Sequence, residues 1–137
     1  MDDCIFCKIV NKEVPADIVY ENDKIVAFLD IAPSNPGHTL IVPRAHHVDL
    51  LETPDDVAAE ITIKAKKIAA GVITAVKADG FNFVFNTKPA AGQVVFHTHA
   101  HIIPRFTNDG LKHWPKKEIS SDQMKKIRES IRKQFAP

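Results

Sequence analysis

The sequence predicts an α+β fold: a mostly antiparallel five-stranded sheet with one long helix and one short C-terminal helix. Three observations predict it. Short apolar runs bounded by Pro, Gly and Asn recur in both halves of the chain, as strands do. From Thr53 onward the apolar residues recur instead every three or four positions, as on an amphipathic helix. A second run with that helical period closes the chain.

The elements follow in order. "DIVYEND" and "KIVAFLD" read as two strands about a tight polar turn at Glu21–Asp23. "GHTLIVP" (Gly37–Pro43) is a third strand, entered through the turn "APSNPG". Val57, Ile61, Ala65, Ile68, Val72 and Val76 form the stripe of the long helix. Thr53 is placed to cap it, Pro54 to open it, Asp55 and Asp56 to favour its positive end, and Gly80 to close it. "FNFVFN" (Phe81–Asn86) and "VVFHTHAHII" then alternate as the last two strands. Met124, Ile127, Ile131 and Phe135 stripe the C-terminal helix, which Ser120 or Ser121 caps.

At 137 residues the chain fits one domain, residues 1–137, with room for a hydrophobic core. Its net charge of +1 and short basic runs give no reason to expect a nucleic-acid polymer as partner. No apolar run approaches the roughly 20 residues of a membrane span, and "MDDCIFCKIV" lacks the layout of a signal peptide. The expected compartment is the cytoplasm, where Cys4 and Cys7 are thiols or metal ligands rather than a disulfide.

Three of the seven histidines fall within five residues, in "GQVVFHTHAHIIPRF". On a strand, His97, His99 and His101 share one face. A buried aliphatic strand would carry Val or Ile there, so chance core histidines explain the pattern poorly. Two chemistries remain open: a metal clamp, and a nucleophilic imidazole oriented by its neighbours. "CIFC" has zinc-ligand spacing but needs two more ligands, for which histidines elsewhere in the chain are available. A redox pair is less apt, because only three residues precede Cys4.

These residues resemble the histidine triad (HIT) family, most closely its bacterial histidine triad nucleotide-binding proteins. "HTHAHII" is similar to the family's His-φ-His-φ-His-φ-φ signature, and "CIFCKI", "AFLDIAPSNPGHTLIVPRAH" and "NTKPAAGQVVFHTHAHIIPR" extend the likeness over nearly the whole chain. "HWP" (His113–Pro115) resembles a C-terminal element of that branch. The resemblance implies a HIT-like fold and a homodimer whose subunits join their sheets. It implies a nucleotide hydrolase or transferase that cleaves at the α-phosphate of a nucleoside phosphoramidate or dinucleoside polyphosphate. On that likeness His99 is the nucleophile, forming a covalent nucleotidyl-histidine, with His101 and His38 about the phosphate.

The same likeness puts Asn86, Gln93 and Val94 on the phosphate side. Val94 departs from the family, which usually has Ser or Thr there. Asp30 would take the ribose hydroxyls of a purine nucleotide, and Ile5, Phe6, Ile9, Phe28 and Ile31 would sandwich the base. A structural zinc would sit on Cys4, Cys7, His46 and His97, with His47 the alternative to His46, and no organic cofactor is implied. A nucleotide-binding regulator with little turnover is the alternative reading. A metallohydrolase using all three histidines of the run as ligands is a further one.

Overall fold

The computed structural model describes residues 3–137. Two hydrophobic clusters lie on opposite faces of one sheet, and they dictate where every functional side chain points. Strands β1 (Ile18–Glu21), β2 (Ile25–Leu29), β3 (Thr39–Pro43), β4 (Gly80–Phe85) and β5 (Ala100–Arg105) are all antiparallel to their neighbours, in the order β1-β2-β3-β5-β4. The expected five-stranded sheet is therefore present, with β1 and β4 as its edges.

Side chains alternate across it. Ile25, Ala27, Ile41, Ala100 and Ile102 face the long helix α2 (Asp55–Val76), where Ile61, Ala65, Ile68 and Ala69 meet them. Val26, Phe28, Leu40 and Val42 face the other way, onto Phe6, Ile9 and Val10 of a short helix α1 (Ile5–Val10). Helix α1 is too short to announce itself by periodicity. Its N-cap is Cys4, whose sulfur accepts the Cys7 N–H at 3.4 Å. A sheet covered on both faces explains why β2 and β3 read as continuous apolar runs. Among the described residues no helix is long and apolar enough to cross a membrane.

Three local expectations are corrected. Pro54, not Thr53, occupies the N-cap of α2, with no side-chain cap bond. The Thr53 hydroxyl is engaged instead with the Asp49 carbonyl at 2.8 Å and the Thr98 hydroxyl at 2.7 Å. Helix α2 ends at Lys77 in the left-handed region (φ 58°), and Gly80 opens β4 rather than closing the helix. The histidine run is not one continuous strand, because β5 begins only at Ala100. Ahead of it, the Thr98 N–H donates to the His47 carbonyl at 2.7 Å, so residues 93–99 follow the 46–48 loop instead of joining the sheet. The C-terminal helix α3 (Ser121–Lys133) is capped by Ser120 as expected, through a capping box with Gln123.

Candidate active site and metal centre

The irregular stretch before β5 sends neighbouring histidines in different directions. His97 is fully buried, and its Nε2–H donates to the Pro43 carbonyl at 2.8 Å, which leaves Nδ1 as a bare lone pair. That Nδ1 lies 3.1 Å from His46 Nδ1, 3.4 Å from Cys4 Sγ and 3.5 Å from Cys7 Sγ; Cys7 Sγ is 3.3 Å from His46 Nδ1. Around a tetrahedral zinc, with Zn–S about 2.3 Å and Zn–N about 2.05 Å, the ligand atoms would stand about 3.3 Å (N to N) to about 3.8 Å (S to S) apart. The four donors fit that cation with little movement. The Pro43 carbonyl on the far nitrogen of His97 is the outer contact that orients a ligating imidazole.

Burial and the neighbouring Cys4 push the Cys7 thiol up to about 11. Burial also lowers His46 and takes His97 down to about 4. The imidazoles are thus ready ligands, whereas Cys7 gives up its proton only against a cation. His47 stays outside the cluster and contributes its carbonyl to Thr98.

His99 points elsewhere. Its Nδ1–H donates to the His97 carbonyl at 2.7 Å, so Nε2 is the unprotonated nitrogen. Burial lowers its pKa, keeping the ring neutral. His101, on β5, completes a relay. The Ser34 N–H donates to His38 Nδ1 at 3.0 Å, which places the His38 proton on Nε2. That proton is directed at His101 Nδ1, 2.9 Å away, so the His101 proton is on Nε2. Burial lowers His38 and takes His101 down to about 4, so both are neutral. Asp30 stands by with Oδ2 3.6 Å from His38 Nε2, beyond hydrogen-bond range, while Oδ1 accepts the Ala32 N–H at 2.9 Å.

His99, His101 and Asp30 open onto a cleft of about 510 Å³, lined on its apolar side by Ile5, Phe6, Ile9 and Phe28, with Ile31 at the rim. Phe6 stands edge-on to both His97 and His99, with ring centroids 5.9 and 5.0 Å away. Its ring therefore forms part of the partition between the two histidine clusters. The triad does not converge on one point, so the three imidazoles are not one metal clamp.

Of the positions expected on the phosphate side, Val94 lines the cleft and is 82% exposed. Asn86 stands beside Gly92, a cleft residue, with its amide nitrogen 3.7 Å from where a Gly92 Cβ would be. Gln93 is a correction in position. It is buried with Oε1 on the Lys88 N–H (2.8 Å) and Nε2 on the Val48 and Val95 carbonyls (2.7 and 3.1 Å), so its amide is engaged in holding the loop.

Sequence reasoning missed the groups that fix these tautomers, because the Ser34 N–H and the Pro43 and His97 carbonyls are backbone atoms. It also missed Lys88. At φ 77° and ψ 156°, Lys88 holds a conformation ordinarily reserved for glycine, and its ammonium lies 2.8 Å from the buried Asp49 carboxylate. That pair and Gln93 pin the loop carrying Gly92 and Val94.

A sequence profile of the HIT domain matches residues 11–108. The chain belongs to the HIT family. An adenylylsulfatase of Arabidopsis thaliana is 40% identical over 129 residues, which are 94% of this chain and 64% of that protein. Among solved structures, a Streptococcus mutans protein superposes with a TM-score of 0.93 at 39% identity, covering 99% of this chain and 87% of its own. A zinc-bound HIT protein of Mycobacterium smegmatis superposes at 0.78 with 33% identity, covering 98% and 96%.

Proposed function

We propose that this HIT protein is a nucleotide hydrolase or transferase that cleaves at the α-phosphorus of a nucleoside phosphoramidate or a phosphoanhydride, including dinucleoside polyphosphates. The observation that carries the reading is His99: neutral, tied at Nδ1, with its free Nε2 in a cleft that has an apolar slot at one end. A purine fits between Phe6, Ile9 and Phe28, with Ile5 and Ile31 at the edge. The carboxylate of Asp30 takes the ribose hydroxyls. Nε2 of His99 then forms a bond to phosphorus as the leaving group departs with the bonding pair. The His97 carbonyl, still holding Nδ1–H, stabilises the charge that the ring acquires. The His101 Nε2–H and the Asn86 amide are donors for the phosphate oxygens, and His38 fixes the proton on His101. Water reverses the attack and releases a nucleoside monophosphate. The relative named an adenylylsulfatase acts, by that name, on an adenylyl group joined to sulfate rather than to an amine or a phosphate, and it supports the reading as far as the nucleotidyl side of the bond.

The same proposal includes a structural zinc on Cys4, Cys7, His46 and His97. The fit of the four donors and the zinc-bound M. smegmatis relative support it. It also includes a homodimer joined at β4, which is a free sheet edge among the described residues. Val94, exposed where a hydroxyl would reach the leaving group, favours a second reading of slow turnover behind tight binding.

The test is single-turnover labelling with an adenosine phosphoramidate and a diadenosine polyphosphate, read by intact-protein mass. Wild type should acquire one nucleotidyl group per chain. His99→Ala should lose it and lose turnover by roughly a thousandfold or more, with nucleoside monophosphate affinity changed less than about threefold. A His99→Ala protein that kept roughly a tenth of the wild-type rate would overturn the covalent path.

A further inference from the structure

We infer that Lys88 and Asp49 are positioning residues: their ion pair fixes the loop 86–95 against His99, so that the phosphate meets the nucleophile in line. The inference rests on the reading of His99 as the nucleophile. It adds to that reading two residues that do not line the cleft.

The loop has little else to hold it. Residues 88–92 are all exposed, and their one piece of regular structure is the short 3₁₀ turn Pro89–Ala91. With no buried apolar anchor in this stretch, its position depends on polar ties, and two of them lead to the same segment. The Lys88 ammonium lies 2.8 Å from Asp49 Oδ2, and Gln93 Nε2 donates to the Val48 carbonyl at 2.7 Å. Gln93 also closes the loop on itself, with Oε1 accepting the Lys88 N–H at 2.8 Å.

The segment around Asp49 carries the nucleophile's stretch as well. The Thr53 hydroxyl reaches the Asp49 carbonyl at 2.8 Å and the Thr98 hydroxyl at 2.7 Å. The Thr98 N–H donates to the His47 carbonyl at 2.7 Å, and His99 is the next residue. Residues 47–53 are thus one frame from which both the phosphate loop and His99 are hung.

Two features say that Lys88 serves through its ammonium rather than through the turn. Its φ of 77° and ψ of 156° suit glycine, and lysine holds them only under strain. A residue needed for the turn alone would be glycine. The Asp49 carboxylate is 1% exposed, and among the described residues Oδ2 has no other polar partner. Removing the cation leaves a buried carboxylate unpaired, which sets this contact apart from an ordinary surface ion pair. The contact offsets the strain, and strain of this kind persists only where the surroundings over-determine it.

What the pair protects is alignment. Asn86 and Gly92 both lie on the loop, whereas the base slot and Asp30 come from α1, β2 and the residue after β2. A shifted loop therefore leaves the nucleoside seated and the phosphate misaligned. A displacement of about 1 Å at that point can slow a reaction about a hundredfold.

The experiment compares wild type with Lys88→Gly, Asp49→Asn and the double variant. The double variant removes strain and buried charge together, and asparagine keeps the cap on the Glu52 N–H. Its Tm should stay within about 5 °C of wild type. Single-turnover labelling of His99 by an adenosine phosphoramidate should slow about tenfold or more in all three variants. The double variant should be slower than the slower single by no more than about threefold, because the two side chains act as one unit. Adenosine, which has no phosphate to place, should bind within about threefold of wild type throughout. Amide exchange over residues 88–95 of the double variant should quicken about tenfold or more, with β5 unchanged.

Five results overturn the inference: a double variant that labels at the wild-type rate, single effects that multiply, adenosine affinity or Tm that falls in step with the rate, or unchanged exchange. A wild type that takes no label overturns the His99 reading instead, and the exchange comparison then decides the pair by itself.

Discussion

His97 and His99 are two residues apart and do opposite things. The cluster around His97 turns four imidazole-nitrogen or sulfur donors inward and contains no carboxylate, and the His97 proton is directed away from it at the Pro43 carbonyl. The cluster around His99 orders its protons through backbone groups, includes Asp30, and opens onto a cleft. Burial keeps the imidazoles of both neutral. What separates them is the partner of each ring's second nitrogen, together with the Phe6 ring standing between them. A histidine's role here is set less by its place in the motif than by which backbone carbonyl or amide its other nitrogen meets.

The largest effect expected from breaking the comparison is on the inward cluster. The purified protein should hold about one zinc per chain, and His46→Ala or chelation should lower Tm by about 10 °C or more. Zinc-free protein purified with metal present, or a His46→Ala chain as stable as wild type, would reduce the cluster to packing. On the cleft side, Asp30→Ala should weaken nucleoside monophosphate binding by about 1.5–3 kcal/mol, roughly ten- to a hundredfold. Calorimetry with ribose and 2′-deoxyribose ligands checks it, because wild type should discriminate and the variant should not.

A smaller effect comes from pH. Unfolded His101 takes a proton below about 6.5. The folded residue takes one only near about 4, because burial and the neighbouring His99 and His38 oppose the charge, with Asp30 opposing them more weakly. The unfolded state therefore binds more protons between these values, and stability falls as pH drops through that window. Buried His38, also lowered, acts with the same sign. Wild-type Tm should fall several degrees across the window by this linkage, and His101→Gln should flatten the slope. Identical slopes for the two would remove His101 from the account.

The smallest effect sharpens the cleft. Val94 is exposed, so Val94→Ser buries no hydroxyl and should leave Tm unchanged. It should raise turnover up to about tenfold, by a donor that engages the leaving group in the transition state. A folded variant with unchanged kcat would show that the hydroxyl's part is already filled.

Much of this was legible in the sequence, and the exceptions share a cause. The sheet, the long helix and the Ser120 cap follow from apolar period and capping chemistry. The approach of Cys4 and Cys7 to His46 and His97 came only with the family resemblance, since residues so far apart carry no local signal. The single histidine strand was misread because alternation fits both a strand and an irregular run. The deciding bond, Thr98 N–H to the His47 carbonyl, joins residues 51 positions apart in backbone alone, and the hydroxyl of the same Thr98 also reaches that carbonyl. Gln93 was misplaced for a similar reason: a polar residue at a site's edge reads as a ligand contact until its amide is found bonded to a loop. Lys88 could not have been found, because nothing in a lysine foretells a glycine conformation.

Helix α1 has a thermodynamic consequence. Its six residues could not hold a helix alone, yet Cys4 and Cys7 bind it to one cluster while Ile5, Phe6 and Ile9 wall the other. One small folding equilibrium therefore serves two sites. Whatever closes the sulfur–imidazole cluster orders the wall of the cleft. Reciprocity then requires that a ligand seated against that wall tighten the cluster by the same factor.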